Sequence, residues 1–204
     1  APPRDALEQR LDEFIQWFNT SRNNTLLDPL IRAGITHLWF VTLHPFDDGN
    51  GRITRTLTDL ALAQMDQQSI RLYAMSPVIL NKRKSYYEIL EATQKSDSDI
   101  TDWLLWFLQA LNESLEQTLK RIERTLRKST FWQVFSEVDL HEGQRKVLNR
   151  LLDGGENGFE HGISASQYQK VAKVSRATAT RHLTDLLEKD CVVKLEGGGR
   201  NTRY

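Results

Sequence analysis

Cysteine is almost missing from the chain: Cys191 is the only one in 204 residues. A single thiol excludes an internal disulfide and a cysteine-based metal centre, and it fits a reducing compartment. Cys191 itself reads as a small, half-buried residue. Also lacking is any apolar run near the roughly 20 residues that a bilayer span requires. The opening stretch, "APPRDALEQR", does not follow the basic-then-apolar plan of a secretion signal. These absences predict a cytoplasmic protein with no membrane partner. Net charge is zero as well, although the balance is uneven. Residues 1–142 carry an excess of four negative charges, and residues 143–204 an excess of four positive ones. That asymmetry predicts two units with different partners, the second with an anionic candidate. No internal repeat is present.

Hydrophobic residues make up 39% of the chain, enough for a real core. Up to residue 160 their spacing is helical throughout. Leu7, Leu11, Phe14, Ile15 and Phe18 mark a helix from Arg4 to about Asn19. A second, nearly apolar all round, runs from near Asp28 to Leu43, and a third covers Ile53 to Met65. "SYYEILEATQ" from Ser85 predicts another, and "DITDWLLWFLQAL" opens one that exceeds about 25 residues if its leucine stripe to Leu126 is continuous. The tail differs. Two short helices are followed by a third capped by Ser175, then by Cys191 to Leu195 as a strand, a glycine turn and a last short strand ending at Tyr204. That order predicts a winged helix-turn-helix with a β-hairpin wing. The predicted division is 1–127 for the first domain, 128–142 for a linker and 143–204 for the winged unit.

The densest chemistry is "HPFDDGNGRITR", residues 44–55, between two predicted helices. Gly49 and Gly51 allow consecutive N–H groups to face one concavity, to which the following helix adds its positive end. This is a place for an anion, most plausibly phosphate. Arg52 and Arg55 stand three apart, so both can offer forked donors from nearly the same helix face. Two arginines at a helix N-terminus are electrostatically unfavourable unless a negative charge is bound there. Asp47 or Asp48 can offer a carboxylate to Mg²⁺, and His44 can take a proton near neutrality. The plain alternatives are a polar turn and an Asp–Arg surface pair. A Ca²⁺ loop lacks its alternating oxygen ligands, and a P-loop lacks its lysine.

These residues resemble the Fic motif, H-x-F-x-[D/E]-G-N-G-R-x-x-R, with His44, Phe46, Asp48, Gly49, Asn50, Gly51, Arg52 and Arg55 filling every specified position. "WFN" at the end of the first helix and "KSYYEILEATQKSDSDITDWLLWFL" are similar to Fic domains of bacterial proteins that carry a C-terminal winged helix. The resemblance covers roughly residues 1–127. It implies a Fic-type helical bundle that transfers AMP from ATP to a Ser, Thr or Tyr hydroxyl of a target protein, or of itself, with release of pyrophosphate. His44 would be the base and Asp48 the Mg²⁺ ligand. Gly49, Asn50 and Gly51 would line the cradle, with Ile53 and Thr54 in the same ATP-binding stretch, and Arg52 and Arg55 would grip the β and γ groups. Phe46 is expected as a core anchor and Asp47 as a solvated spare. Tyr86, Tyr87 and Gln94 fall where the family contacts the nucleotide. His37, seven residues before His44, is expected to be hydrogen-bonded in the core rather than catalytic.

Fic domains usually carry a β-hairpin flap before the "PP", so a chain opening on "APP" reads as a fragment. The family's inhibitory pattern, [S/T]-x-x-x-E-[G/N], is not found in these residues. In the predicted winged unit, Arg176, Thr178, Thr180 and Arg181 would face outward on the recognition helix. Lys194, Arg200 and Arg203 would belong to the wing, suiting DNA or a docking protein. The leucine stripe leaves a homodimer open. Two competing functions remain: a nucleotide-sensing, DNA-binding regulator, and Fic-like transfer or removal of another phosphate-linked group.

Overall fold

The computed structural model describes residues 3–66, 74–96, 99–154, 159, 161–195 and 202–204. It divides into two compact units, residues 1–118 and 119–204. The first contains α1 (Arg4–Ser21), α2 (Pro29–Leu43), α3 (Asn50–Asp66), α4 (Met75–Asn81) and α5 (Arg83–Lys95). The long helix α6 (Thr101–Val134) spans the division, and α7 (Glu142–Asp153), α8 (Ala165–Ala172) and α9 (Arg176–Glu188) follow. Residues 128–134, expected in a linker, are helical.

Local chemistry explains the boundaries that matter. Asp28 caps α2, its carboxylate accepting from the N–H groups of Leu30 (2.8 Å) and Ile31 (3.3 Å), with Pro29 at the first helical position. Helix α3 begins at Asn50, three residues earlier than expected, because the Gly49 carbonyl accepts from both Arg52 and Ile53 N–H at 3.0 Å. Ser164 and Ser175 cap α8 and α9 through the N–H groups of Gln167 and Thr178.

The core of the first unit is aromatic. Trp103 and Phe107 of α6 are fully buried against Ala33, His37 and Phe40 of α2, and Phe14 of α1 completes the layer. The Trp103 indole N–H donates to the Gly34 carbonyl at 2.9 Å, which satisfies the one polar atom of that side chain. Each such ring buried contributes about 1.5–3 kcal/mol relative to exposure. The second unit packs Val147, Leu148, Tyr168, Ala179, Leu183 and Leu186 from α7, α8 and α9 into a separate core.

The expected strand at Cys191–Leu195 is not formed: no strand is assigned among the described residues. Cys191 instead completes the end of α9. Asp190 takes a left-handed conformation (φ 55°), Cys191 N–H donates to Leu186 O at 2.9 Å, and the thiol enters the core. Among the described residues, backbone pairing in this region joins Leu195 N–H to Arg203 O (2.9 Å) and Ile163 reciprocally to Tyr204 (2.9 and 3.1 Å). Gly162 adjoins that pair at φ 73°, and a Cβ there would stand 2.5 Å from the Tyr204 carbonyl oxygen. Gly162→Ala is therefore expected to destabilise the second unit by about 2–4 kcal/mol. Urea titration of the full chain checks this, and an unchanged midpoint contradicts it.

Candidate active site

The loop between α2 and α3 is shaped by its own polar groups. His44 ends α2 in a left-handed conformation (φ 48°, ψ 54°), its N–H bonded to Phe40 O at 3.2 Å, which turns its exposed side chain out of the helix. Asn50 then closes the loop. Its side-chain oxygen accepts from Phe46 N–H at 3.0 Å and its amide donates back to Phe46 O. With Asn50 buried, both backbone groups of Phe46 are satisfied at one stroke. Gly49, at φ 85°, makes the turn into α3 that a side chain would strain.

These constraints surround a cavity of about 280 Å³ lined by His44, Asp47, Asp48, Gly49, Asn50, Gly51, Arg52 and Arg55. The N–H groups of Asn50 and Gly51 open α3 without a backbone acceptor among the described residues, so the helix presents free donors and its positive end to the cavity. Arg52 pairs with Asp48 at 3.0 Å, both side chains being largely exposed. Arg55 is half-buried and has no acidic partner among the described residues. It also lines a second cavity of about 280 Å³ with Ser76, Ile79, Leu80, Arg83, Tyr86 and Tyr87. One guanidinium thus lines two cavities.

Other expectations are redistributed. Phe46 is 47% exposed, with its ring centroid 6.5 Å from that of core Phe40 and its backbone gripped by Asn50. Asn50 lines the cavity, and its side chain also makes that clasp. Thr54 and Thr58 are fully buried, their hydroxyls donating to Asn50 O and Thr54 O at 2.8 Å. Ile53 is half-buried against the core. Tyr86 is buried, whereas Tyr87 is exposed beneath the Arg83 guanidinium, 5.7 Å from its ring centroid. Gln94 lies apart from the loop: its amide donates to Thr42 Oγ1 at 3.0 Å, and it lines a mostly apolar cavity of about 450 Å³ with Ile35, Leu38, Trp39 and Thr93.

His37 is a buried core group, as expected, bonded to Thr58 (3.0 Å) and Tyr86 (3.1 Å). Burial, reinforced by the Arg55 charge, pushes its imidazole down to about 3, and burial pushes the Tyr86 phenol up to about 12. Below about pH 6.5 the unfolded chain takes up a proton that folded His37 refuses, so stability is complete above that pH and falls as the solution is acidified toward 3. The groups facing His37 are Thr58, Tyr86, Trp103, Phe107 and the Arg55 charge. Between pH 7.5 and 5.5 the expected loss is about 1.4 kcal/mol. Urea titrations at both pH values should show a smaller loss in His37→Asn, and an equal loss in both proteins contradicts the assignment.

In the second unit, Arg176, Thr180 and Arg181 are exposed on α9, and Lys194 is exposed beyond it. Thr178 is half-buried, with its hydroxyl on Ser175 Oγ at 2.9 Å. Arg203 is committed to the carbonyl of Gly162 at 3.0 Å, and Arg200 lies outside the described residues. His141 and His182, far apart in the chain, stack with ring centroids 5.2 Å apart, a pairing that no local pattern announced. They line a polar cavity of about 380 Å³ with Asp139, Thr178, Arg181, Asp185 and Lys189. Among the described residues no cluster of three His, Cys, Asp or Glu can hold a metal ion.

Residues 1–62 match the Fic/DOC family. The Fic/DOC stretch contains α1, α2, the 44–49 loop and most of α3, and so every residue lining the cavity between His44 and Arg55. Similar curated proteins include "Protein adenylyltransferase fic-1" of Caenorhabditis elegans, 35% identical over 97 residues, which are 47% of this chain and 17% of that protein. "Protein adenylyltransferase Fic" of Drosophila grimshawi is 33% identical over 160 residues, 73% of this chain and 31% of that one. The chain therefore spans less than a third of the length of these relatives. Among solved structures, a Fic family protein from Desulfovibrio desulfuricans G20 aligns over 100% of this chain and 56% of its own, with a TM-score of 0.50 and 22% identity. That likeness concerns the fold alone.

Proposed function

We propose that the chain transfers AMP from ATP to a hydroxyl side chain of a protein, with His44 as base. The observation that carries this reading is the arrangement of His44 at the rim of a cavity also lined by the α3 N-terminus, Asp47, Asp48 and two arginines, of which Arg55 has no acidic partner among the described residues. The triphosphate offers Arg55 the anionic partner that no described residue provides. The cradle N–H groups and Arg52 bind its oxygens, and Arg55 reaches both the phosphates and the cavity walled by Tyr86 and Tyr87, where the nucleoside would lie.

His44 accepts the proton of the target hydroxyl as the oxygen attacks the α-phosphorus. A new O–P bond forms, the bond from the α-phosphorus to the bridging oxygen breaks, and pyrophosphate departs with that electron pair. Fixed N–H donors and the α3 dipole stabilise the charge gathering on the phosphoryl oxygens without reorganising. Asp48 fits Mg²⁺ as a ligand: it is a hard oxygen donor at the cavity rim, and this ion commonly takes one carboxylate and completes its shell with phosphates and water. When bound, Mg²⁺ would neutralise charge on the α and β groups. Phosphate binding would then draw Arg52 from Asp48, freeing the carboxylate.

The proposed organisation is a Fic domain followed by a winged helix-turn-helix. No helix among the described residues is long and apolar enough to cross a membrane, and we place the protein in the cytoplasm. A second reading, a nucleotide-sensing DNA-binding regulator, is favoured by the exposed Arg176, Thr180 and Arg181 on α9. It predicts duplex binding at low salt that Arg176→Ala and Arg181→Ala each weaken, with a shallower salt dependence. Fluorescence anisotropy tests it, and absence of binding to any duplex at low salt removes it. The adenylyl-transfer reading is tested by incubation with radiolabelled ATP, Mg²⁺ and lysate. Covalent label on protein supports it, and none contradicts it.

A further inference from the structure

His37 is 1% exposed, yet all of its hydrogen-bonding capacity is used by side chains of two other helices. The Thr58 hydroxyl has one proton, and at 2.8 Å it goes to Thr54 O. Thr58 Oγ1 can therefore only accept from His37, which assigns the ring proton to Nδ1. Nε2 is then a bare lone pair and accepts from the Tyr86 hydroxyl. The surroundings thus specify one neutral tautomer, joining α2 to α3 and α5.

Each end of this bridge continues to a ligand-facing wall. From Thr58 the bonds pass along α3 through Thr54 to Asn50, whose side chain clasps the loop at Phe46. In the other direction the Tyr86 ring lies 5.3 Å from that of Tyr87, and both line the cavity shared with Arg55. A histidine that only filled the core could have met backbone atoms. This one connects the anion loop to the aromatic wall.

We propose that His37 is a positioning residue for nucleotide binding, holding the Tyr86–Tyr87 wall at a fixed spacing from the phosphate loop. The proposal rests on the adenylyl-transfer reading, in which the two walls hold the two ends of one ATP molecule. Loss of the bridge leaves His44 and the cradle intact but lets the walls move independently, so affinity for ATP suffers before the chemical step does.

The test is steady-state kinetics of AMP transfer by the full chain, with KM for ATP and kcat determined separately. Tyr86→Phe removes only the donating hydroxyl. His37→Asn keeps a short amide toward Thr58 but no longer reaches Tyr86. Each is expected to raise KM for ATP by roughly five- to tenfold, the worth of one buried hydrogen bond, with kcat within about twofold. The double variant should be no worse than either single, because both cut the same bond. Folded variants with the wild-type KM, or effects that multiply in the double, overturn the proposal. Should His37→Asn fail to fold, the nearly isosteric Tyr86→Phe decides alone. A wild-type protein that does not use ATP overturns the adenylyl-transfer reading itself, and this result is seen before any variant is made.

Discussion

Replacing His44 by asparagine is expected to lower AMP transfer by about 10²–10⁴-fold, the usual contribution of a positioned general base, while ATP affinity stays within about twofold. The reasoning is geometric. His44 reaches the cavity rim because it occupies a left-handed position at the end of α2. Asparagine tolerates that conformation better than most residues, so the substitution removes the proton acceptor without disturbing the turn. His44→Ala removes the same group but also forces alanine into the left-handed region, and it should be slightly less stable as well. If His44→Asn transfers AMP as fast as wild type, His44 is not the base.

The second large effect is expected at Arg55. Removing a guanidinium that bonds an ionised phosphate costs about 1.5–3 kcal/mol, or roughly 10–100-fold in ATP affinity. Arg55→Ala should behave this way because no carboxylate among the described residues shares the charge. The same substitution relieves the cationic field on His37, a lesser cause than burial, so the ATP-free protein should lose less stability than wild type only when acidified toward pH 3. Calorimetric titration with a non-hydrolysable ATP analogue, paired with urea unfolding at two pH values, measures both effects. Unchanged affinity would remove Arg55 from the phosphate site. Arg52→Ala should have a smaller effect, since Arg52 is exposed and already paired with Asp48.

Much of the site was legible in the sequence because its residue types constrain one another over a short stretch. A histidine, glycines and two arginines at a helix start have few joint uses, and spacing alone puts Arg52 and Arg55 near one face. The helices of both units were legible from apolar periodicity for the same local reason. What escaped depended on partners distant in sequence. Tyr86 and Tyr87 are adjacent, so they cannot share a helix face. Which of the two turns inward was decided by His37, 49 residues earlier. Asn50 was legible as part of the cradle lining, but not the clasp its side chain makes on the backbone of Phe46. Phe46, apolar by type, is half-exposed, its ring beside core Phe40 and its main chain held by Asn50. The strand expected after α9 was read from its β-branched residues, whereas a left-handed Asp190 drew Cys191 back to cap the helix. Gln94 shares the α5 helix with Tyr87 but is tied to Thr42 beside another cavity.

The most direct test of the central claim is intact-mass analysis of lysate proteins, and of the chain itself, after incubation with ATP and Mg²⁺. The account predicts a mass increase of one AMP on a protein hydroxyl, with pyrophosphate released in equal amount and both lost in His44→Asn. Label that persists in His44→Asn, or an adduct of a different mass, would contradict it.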